Sequence, residues 1–264
     1  RNNELVTLQD GKVQWRKNLP AQSFTAPLVA GARVFVLTAD RSVIAFDGAT
    51  GRQLWTQQRP GEPLVLKQAG VMLAVKNTLI VGLSGRLAGL DPNTGVIRWE
   101  SAIATPRGTN DVERLVDLVS GVSRLDNVIC ARAFQTSVTC VDAQKGSNLW
   151  TRASQGHVGV TGSQAALFGA ESDGKFVAWN RAGGQVLWQS EALRFRGLTA
   201  PAAADGQLVV GDDLGWLHWM DAGNGQTLAR IQIDASGIAM PPVPYGKTWV
   251  VITKSGLVQA LRAN

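Results

Sequence analysis

Apolar and polar positions along the chain fall into short runs. The stretch 24–57 is typical. TAPLVAG, ARVFVLTA, RSVIAFD and GRQLWTQ are four segments of about four to eight residues. Each is rich in Val, Ile, Leu and aromatics, and each is bounded by Gly, Asp or Pro, which is the pattern of β-strands separated by tight turns. The pattern recurs over 66–101, 116–152, 157–190 and 198–233, again with four predicted strands each. Residues 3–18 give two strands and 238–262 give three. A helical 3.6-residue period is absent, with DVERLVDLV (111–119) the one short candidate.

One motif organises these runs. DGATGRQLW at 47–55 returns as DPNTGVIRW (91–99), DAQKGSNLW (142–150) and NRAGGQVLW (180–188). It is weakened to DAGNGQTLA at 221–229 and shortened to DGKVQW at 10–15. The glycine always stands four residues before the final position, so one structural unit is repeated. Glycine supplies a positive φ at the turn, and the leading Asp or Asn bonds backbone N–H groups one or two residues on. The Trp is expected to bury its ring between neighbouring repeats and needs an acceptor for its N–H.

The tryptophans that end the motif (15, 55, 99, 150 and 188) are 40, 44, 51 and 38 apart, the size of a four-stranded propeller blade. The expected fold is therefore an all-β propeller in a single domain, residues 1–264. Five full blades and two partial ones read as part of a larger ring that lacks N-terminal repeats.

Composition narrows the function. Hydrophobic residues make up 45% and mean hydropathy is +0.01, which fits a well-cored globular protein. No apolar run approaches the roughly 20 residues of a membrane helix. No leader or lipidation Cys stands near Arg1, so the chain is either cytosolic or begins after such a segment. The net charge is +6, but the basic residues are scattered singly and read as solvated surface, not a nucleic-acid footprint. Cys130 and Cys140 lie on the two arms of one expected hairpin. A three-residue loop would set them opposite each other on one face, and a two-residue loop on opposite faces. A disulfide in an oxidising compartment fits, and two buried thiols fit equally.

Candidate chemistry is sparse. His157 and His218 are the two histidines. His218 is flanked by Trp216 and Trp219 on an alternating strand and is read as pointing outward with no carboxylate partner. The Asp212–Asp213 pair is read as turn chemistry. Nucleophile-elbow, metalloprotease, P-loop and dinucleotide motifs are absent from the sequence, so the expectation is a non-enzyme without cofactor or metal. What remains is surface. The connection 102–117 interrupts the regular spacing, as functional loops on rigid scaffolds do. The segment 59–69 sets Leu64 and Leu66 beside Lys67, an apolar pair edged by charge that reads as a partner-binding patch. Ordinary strand burial of the two leucines is the alternative.

The repeat, of A-x-D-x-x-T-G-x-x-x-W type, is similar to quinoprotein-like propellers. Within these the chain resembles the BamB family of outer-membrane β-barrel assembly lipoproteins. The stretch 198–243 carries the resemblance most specifically, supported by GTNDVERLVDLV and LVLK. Family members are eight-bladed, so about six to seven blades would be represented here. The resemblance implies a non-catalytic scaffold, lipid-anchored at the periplasmic face of the outer membrane. Such a scaffold binds the POTRA domains of BamA and assists folding and insertion of outer-membrane proteins, with unfolded substrates as further partners. The anchor lies outside this chain. The family's contact residues fall in an L-x-L-R loop, here Leu64, Leu66 and Lys67. A second loop, R-L-x-D-x-D, is here Arg114, Leu115 and Asp117, with Val119 in place of the second Asp. Lys keeps the charge of Arg but loses its bidentate fork. The alternative is a quinone-dependent dehydrogenase-like or other ligand-binding propeller, for which the calcium-ligating carboxylates are missing from the sequence.

Overall fold

The computed structural model describes residues 3–59, 64–106, 109–111 and 114–262, and every helix or strand element in it is a β-strand. The first sheet takes β3 (Leu28–Ala30), β4 (Arg33–Leu37), β5 (Ser42–Asp47) and β6 (Gln53–Gln58), paired antiparallel in chain order. Four more sheets repeat this meander. They are β7 (Met72–Val75) to β10 (Ile97–Ala102), β11 (Leu118–Leu125) to β14 (Asn148–Ala153), β15 (Val160–Gly162) to β18 (Val186–Ser190), and β19 (Ala202–Ala204) to β22 (Thr227–Gln232). A hairpin of β1 (Glu4–Gln9) and β2 (Lys12–Asn18) precedes them. A three-stranded sheet of β23 (Val243–Tyr245), β24 (Thr248–Ile252) and β25 (Val258–Arg262) follows. This is the propeller blade meander, and five sheets are complete, as the sequence pattern predicts.

Two compact units are formed: Arg1–Ser120 with Asp142–Ser147, and Gly121–Val141 with Asn148–Asn264. Within each, the middle strands are buried on both faces and the fourth strand is the wettest. In the first unit Phe35, Val43 and Ala45 pack on Leu79, Val81 and Leu90 of the next sheet. In the second, Phe168 and Phe176 pack on Leu208, Val210 and Met220.

The repeated motif explains this stacking. Gly51 sits at φ 69°, and a Cβ there would lie 2.6 Å from the Trp15 ring. The same glycine–ring contact joins Gly95 to Trp55, Gly146 to Trp99, Gly184 to Trp150 and Gly225 to Trp188. Glycine is thus required twice over, for the turn and for the ring that covers it. The indole N–H groups complete the joint. Trp15 donates to the Gly48 carbonyl at 2.9 Å, Trp55 to Pro92 at 3.1 Å, Trp150 to Arg181 at 2.8 Å and Trp188 to Ala222 at 3.1 Å. The Trp99 N–H has no acceptor among the described residues. Truncating one such Trp to Ala is expected to cost about 3–5 kcal/mol. The leading Asp bonds backbone N–H groups two and three residues on, slightly further than the sequence reading has it: Asp91 takes Asn93 at 2.7 Å and Thr94 at 3.2 Å.

Two sequence expectations change. The helix candidate at 111–119 is not a helix where it is described: β11 begins at Leu118, while Val112 and Glu113 lie outside the described residues. The strand expected from Leu66 starts only at Met72. Phe134–Thr136 forms the three-residue connection between β12 (Val128–Ala133) and β13 (Ser137–Asp142). Cys130 and Cys140 therefore face each other, and they form a disulfide with their Cα atoms 4.0 Å apart.

Candidate partner-binding surface

A corner between the second and third strands recurs and sets up the surface. Thr38, Glu171, Asp212 and Thr253 each donate a backbone N–H four residues on, to Ser42, Lys175, Trp216 and Leu257. Each also accepts from the residue three positions later: Arg41, Gly174, Gly215 and Gly256. That third position lies in the left-handed region in every case. Three copies use glycine there, and the first uses Arg41 at φ 64°. A bulky residue in this conformation is an outlier that costs about 1 kcal/mol or more. Its side chain accounts for its presence.

Arg41 is nearly buried and ties two loops together. Its Nη1 donates to Asp117 Oδ1 at 3.0 Å and its Nη2 to the Leu64 carbonyl at 3.0 Å. Asp117 Oδ2 in turn accepts the Leu66 N–H at 3.0 Å. The carbonyl of Leu64 and the amide of Leu66 are thus both held by one ion pair, whose side chains are 9% and 16% exposed. The corner itself is braced: Thr38 Oγ1 donates to Asp40 at 2.6 Å, and Asp40 accepts the Ser42 N–H at 3.2 Å.

The clamp fixes what the loop displays. Leu64 is 37% exposed, Leu66 is half-buried and Lys67 points into solvent. A small cavity of about 60 Å³ beneath them is bordered by Phe24, Leu37, Arg41, Leu66 and Leu118. On the second segment Arg114 is exposed, its N–H donating to the Asn110 carbonyl at 3.2 Å, and Leu115 is half-buried. Val116 is buried against Gly85 and anchors the segment. The structure therefore brings Leu64, Leu66 and Asp117 together, with Lys67 adjacent. Asp117 faces inward as the holder of the loop. Sequence reading misses Arg41, which stands 76 residues from Asp117.

The histidines need correction. His218 is 1% exposed, and its Nε2 lies 2.9 Å from Asp212 Oδ2. It points inward, and its carboxylate partner is the turn aspartate. Asp212 also accepts the N–H groups of Leu214 at 3.0 Å and Trp216 at 2.9 Å, and a bond from Arg196. Burial holds His218 below the ordinary imidazole range, with the Asp212 hydrogen bond opposing. For Asp212 burial alone would raise the carboxyl pKa, but bonds from His218, the Trp216 N–H and Arg196 outweigh it and the pKa is lowered. A second buried group, Arg132, donates to the Ala170 carbonyl at 2.6 Å and the Val158 carbonyl at 3.0 Å. Burial brings its pKa down to about 10 against the pull of Glu171. Arg132 thereby ties the loop at Val158 to the corner at Glu171. Among the described residues no cluster of three or more His, Cys, Asp or Glu could hold a metal ion.

Tryptophan on the neighbouring repeat's glycine turn, in sheets of four antiparallel strands, defines a β-propeller of quinoprotein-like repeats. On fold alone, the crystal structure of BamB from Moraxella catarrhalis matches with a TM-score of 0.92 at 23% identity, over 100% of this chain and 80% of that one. A family model described as outer membrane protein assembly factor BamB matches residues 1–190. Proteins of that name are 30% identical in Bordetella pertussis (99% of this chain, 68% of the relative) and 32% identical in Burkholderia pseudomallei (96% and 67%). The Yersinia pestis relative is 27% identical (95% and 64%). The chain belongs to the BamB family, and it spans about two thirds of the length of these relatives.

Proposed function

We propose that this protein is a non-catalytic scaffold of outer-membrane protein assembly whose 64–67 and 114–117 segments dock the periplasmic POTRA domains of BamA. Leu64 and Leu66 enter an apolar pocket of the partner. Lys67 and Arg114 orient it through charges at the rim. Asp117 contributes by holding the loop through Arg41. The observation that carries this reading is the arginine in a glycine position, spent on fixing a loop whose Leu64 is exposed and whose Leu66 is half-buried. A preorganised loop loses little entropy on binding.

The scaffold works at the periplasmic face of the outer membrane, held by a lipid anchor, and helps unfolded outer-membrane proteins to fold and insert. The Cys130–Cys140 disulfide fits an oxidising compartment such as the periplasm. The test is binding of purified POTRA domains to the wild type and to Leu64→Asp/Leu66→Asp. Binding lost in a folded variant supports the reading. Unchanged binding removes the site.

A further inference from the structure

In six of the seven sheets described, a two-residue turn joins the first two strands, at 10–11, 31–32, 76–77, 126–127, 205–206 and 246–247. The first turn residue is left-handed in every copy, with φ between 49° and 57°. Asp stands there three times (Asp10, Asp126, Asp205) and Gly twice (Gly31, Gly246), residues that accept this region readily. The sixth copy has Lys76 at φ 51°. A long side chain is disfavoured in this region, and strain of this kind clusters at ligand-binding sites.

Lys76 stands at a crevice between the first and second complete sheets, within the first compact unit. The cavity measures about 110 Å³. Its lining runs from buried Phe35 and Leu79, past half-buried Arg33, to exposed Lys76, Asn77 and Asn93. No acid lines it among the described residues.

Arg33 has donors to spare. Its Nη1 donates to the Gly31 carbonyl at 2.9 Å, while its Nε is buried with no partner among the described residues. That leaves Nε and Nη2, the side-on fork with which a guanidinium holds two oxygens of an anion. The nearby acids are engaged elsewhere. Asp47 lies across the strands from Arg33 and accepts both the N–H and the hydroxyl of Thr50 at 2.8 Å. Asp142 feels the charge of Lys76 through space, but its carboxylate accepts the N–H groups of Gln144 at 2.8 Å and Lys145 at 3.0 Å. Asp91 pairs with Arg98 at 2.6 Å.

Two cations in a crevice without an acid select an anion. The arginine fork takes two oxygens, which a carboxylate also offers. Lys76 takes a third, which a tetrahedral oxyanion has and a carboxylate lacks. The side-chain amides of Asn77 and Asn93 add neutral donors at the rim. A cavity of about 110 Å³ is well above the roughly 10–15 Å³ that one water needs.

We propose that this crevice binds a phosphate group, carried either by a free phosphate or by a phospholipid headgroup. Arg33 Nε and Nη2 donate to two of its oxygens and Lys76 Nζ to a third, with Asn77 and Asn93 closing the rim. The site uses none of the residues in the 64–67 and 114–117 segments and does not depend on the docking reading above.

Two probes test it. Inorganic phosphate is titrated calorimetrically, with acetate at equal ionic strength as the control anion. Phosphatidylcholine vesicles with and without phosphatidic acid are followed by co-sedimentation. Wild type should bind phosphate saturably and about tenfold more tightly than acetate. Arg33→Lys keeps the charge but loses the fork, and should weaken phosphate binding about tenfold. Lys76→Asp installs the residue of the other turns, so it should abolish binding while the melting temperature holds or rises. Should Arg33→Lys fail to fold, Lys76→Asp carries the test. Phosphate binding without vesicle binding assigns a free phosphate. Vesicle binding that requires phosphatidic acid and is lost in the variants assigns a lipid headgroup. The proposal is overturned by absence of saturable binding to both probes, by acetate binding as tightly as phosphate, or by unchanged binding in either folded variant.

Discussion

The corners at Thr38–Ser42 and Asp212–Trp216 have the same backbone hydrogen bonds and opposite uses. In the first, an arginine takes the left-handed position and sends its guanidinium out to Asp117 and Leu64. In the second, Gly215 takes that position, and the corner's own buried carboxylate gathers the buried His218 and the partly exposed Arg196. One side chain decides whether the corner presents a loop or braces a core. The difference also sets magnitudes, because Asp212 is fully buried while the Arg41–Asp117 pair keeps some contact with water.

The largest expected effect tests the interior corner. Asp212→Ala leaves His218 and Arg196 without their acceptor and should cost about 3–5 kcal/mol in urea unfolding. A loss under 1 kcal/mol would show that the cluster is not structural. The display corner should cost less: Arg41→Ala removes an ion pair at the rim, about 1–3 kcal/mol, and partner affinity should fall about tenfold as the loop loosens. If affinity holds while stability falls, the clamp does not shape the loop. Acidification separates the corners more finely. Because burial lowers the pKa of folded His218 below 6.5, the unfolded chain takes up the proton first, so stability is full above that pH and declines as pH drops through it. The melting temperature of wild type should fall between pH 7 and pH 5, and less so in His218→Gln. An equal fall in both would remove His218 as the cause. The smallest change in stability belongs to Leu64→Asp, within about 0.5 kcal/mol at a half-exposed position. Unfolding by that variant would make Leu64 a core residue.

Legibility followed sequence distance. Asp47, Gly51 and Trp55 stand in one turn, so their chemistry and the repeat are read directly from DGATGRQLW, and the blade count follows. Leu64, Leu66 and Lys67 stand out because an apolar pair beside a charge falls between strands. Arg41 gives no such sign: it reads as one more scattered cation, and its partner lies 76 residues away. His218 was closer to reach. Its partner is six residues off, and polar residues recur at the same corner as Thr38, Glu171, Asp212 and Thr253. Lining up the corners as well as the Trp motifs would have exposed both the buried aspartate and the arginine in a glycine's place. In the fifth sheet Trp219 faces Ala229, the reverse of the small-to-Trp pairs Ala45–Trp55 and Ala178–Trp188; the sequence shows this only as a weakened motif, because a cross-strand pair has no fixed spacing until the register is known.

The most direct measurement is a calorimetric titration of BamA POTRA domains into wild type, Arg41→Ala and Asp212→Asn under conditions where all three are folded. The account predicts that Arg41→Ala loses about tenfold in affinity while Asp212→Asn binds as wild type does, since only the first corner holds the 64–67 loop. Equal affinities for all three proteins would contradict it.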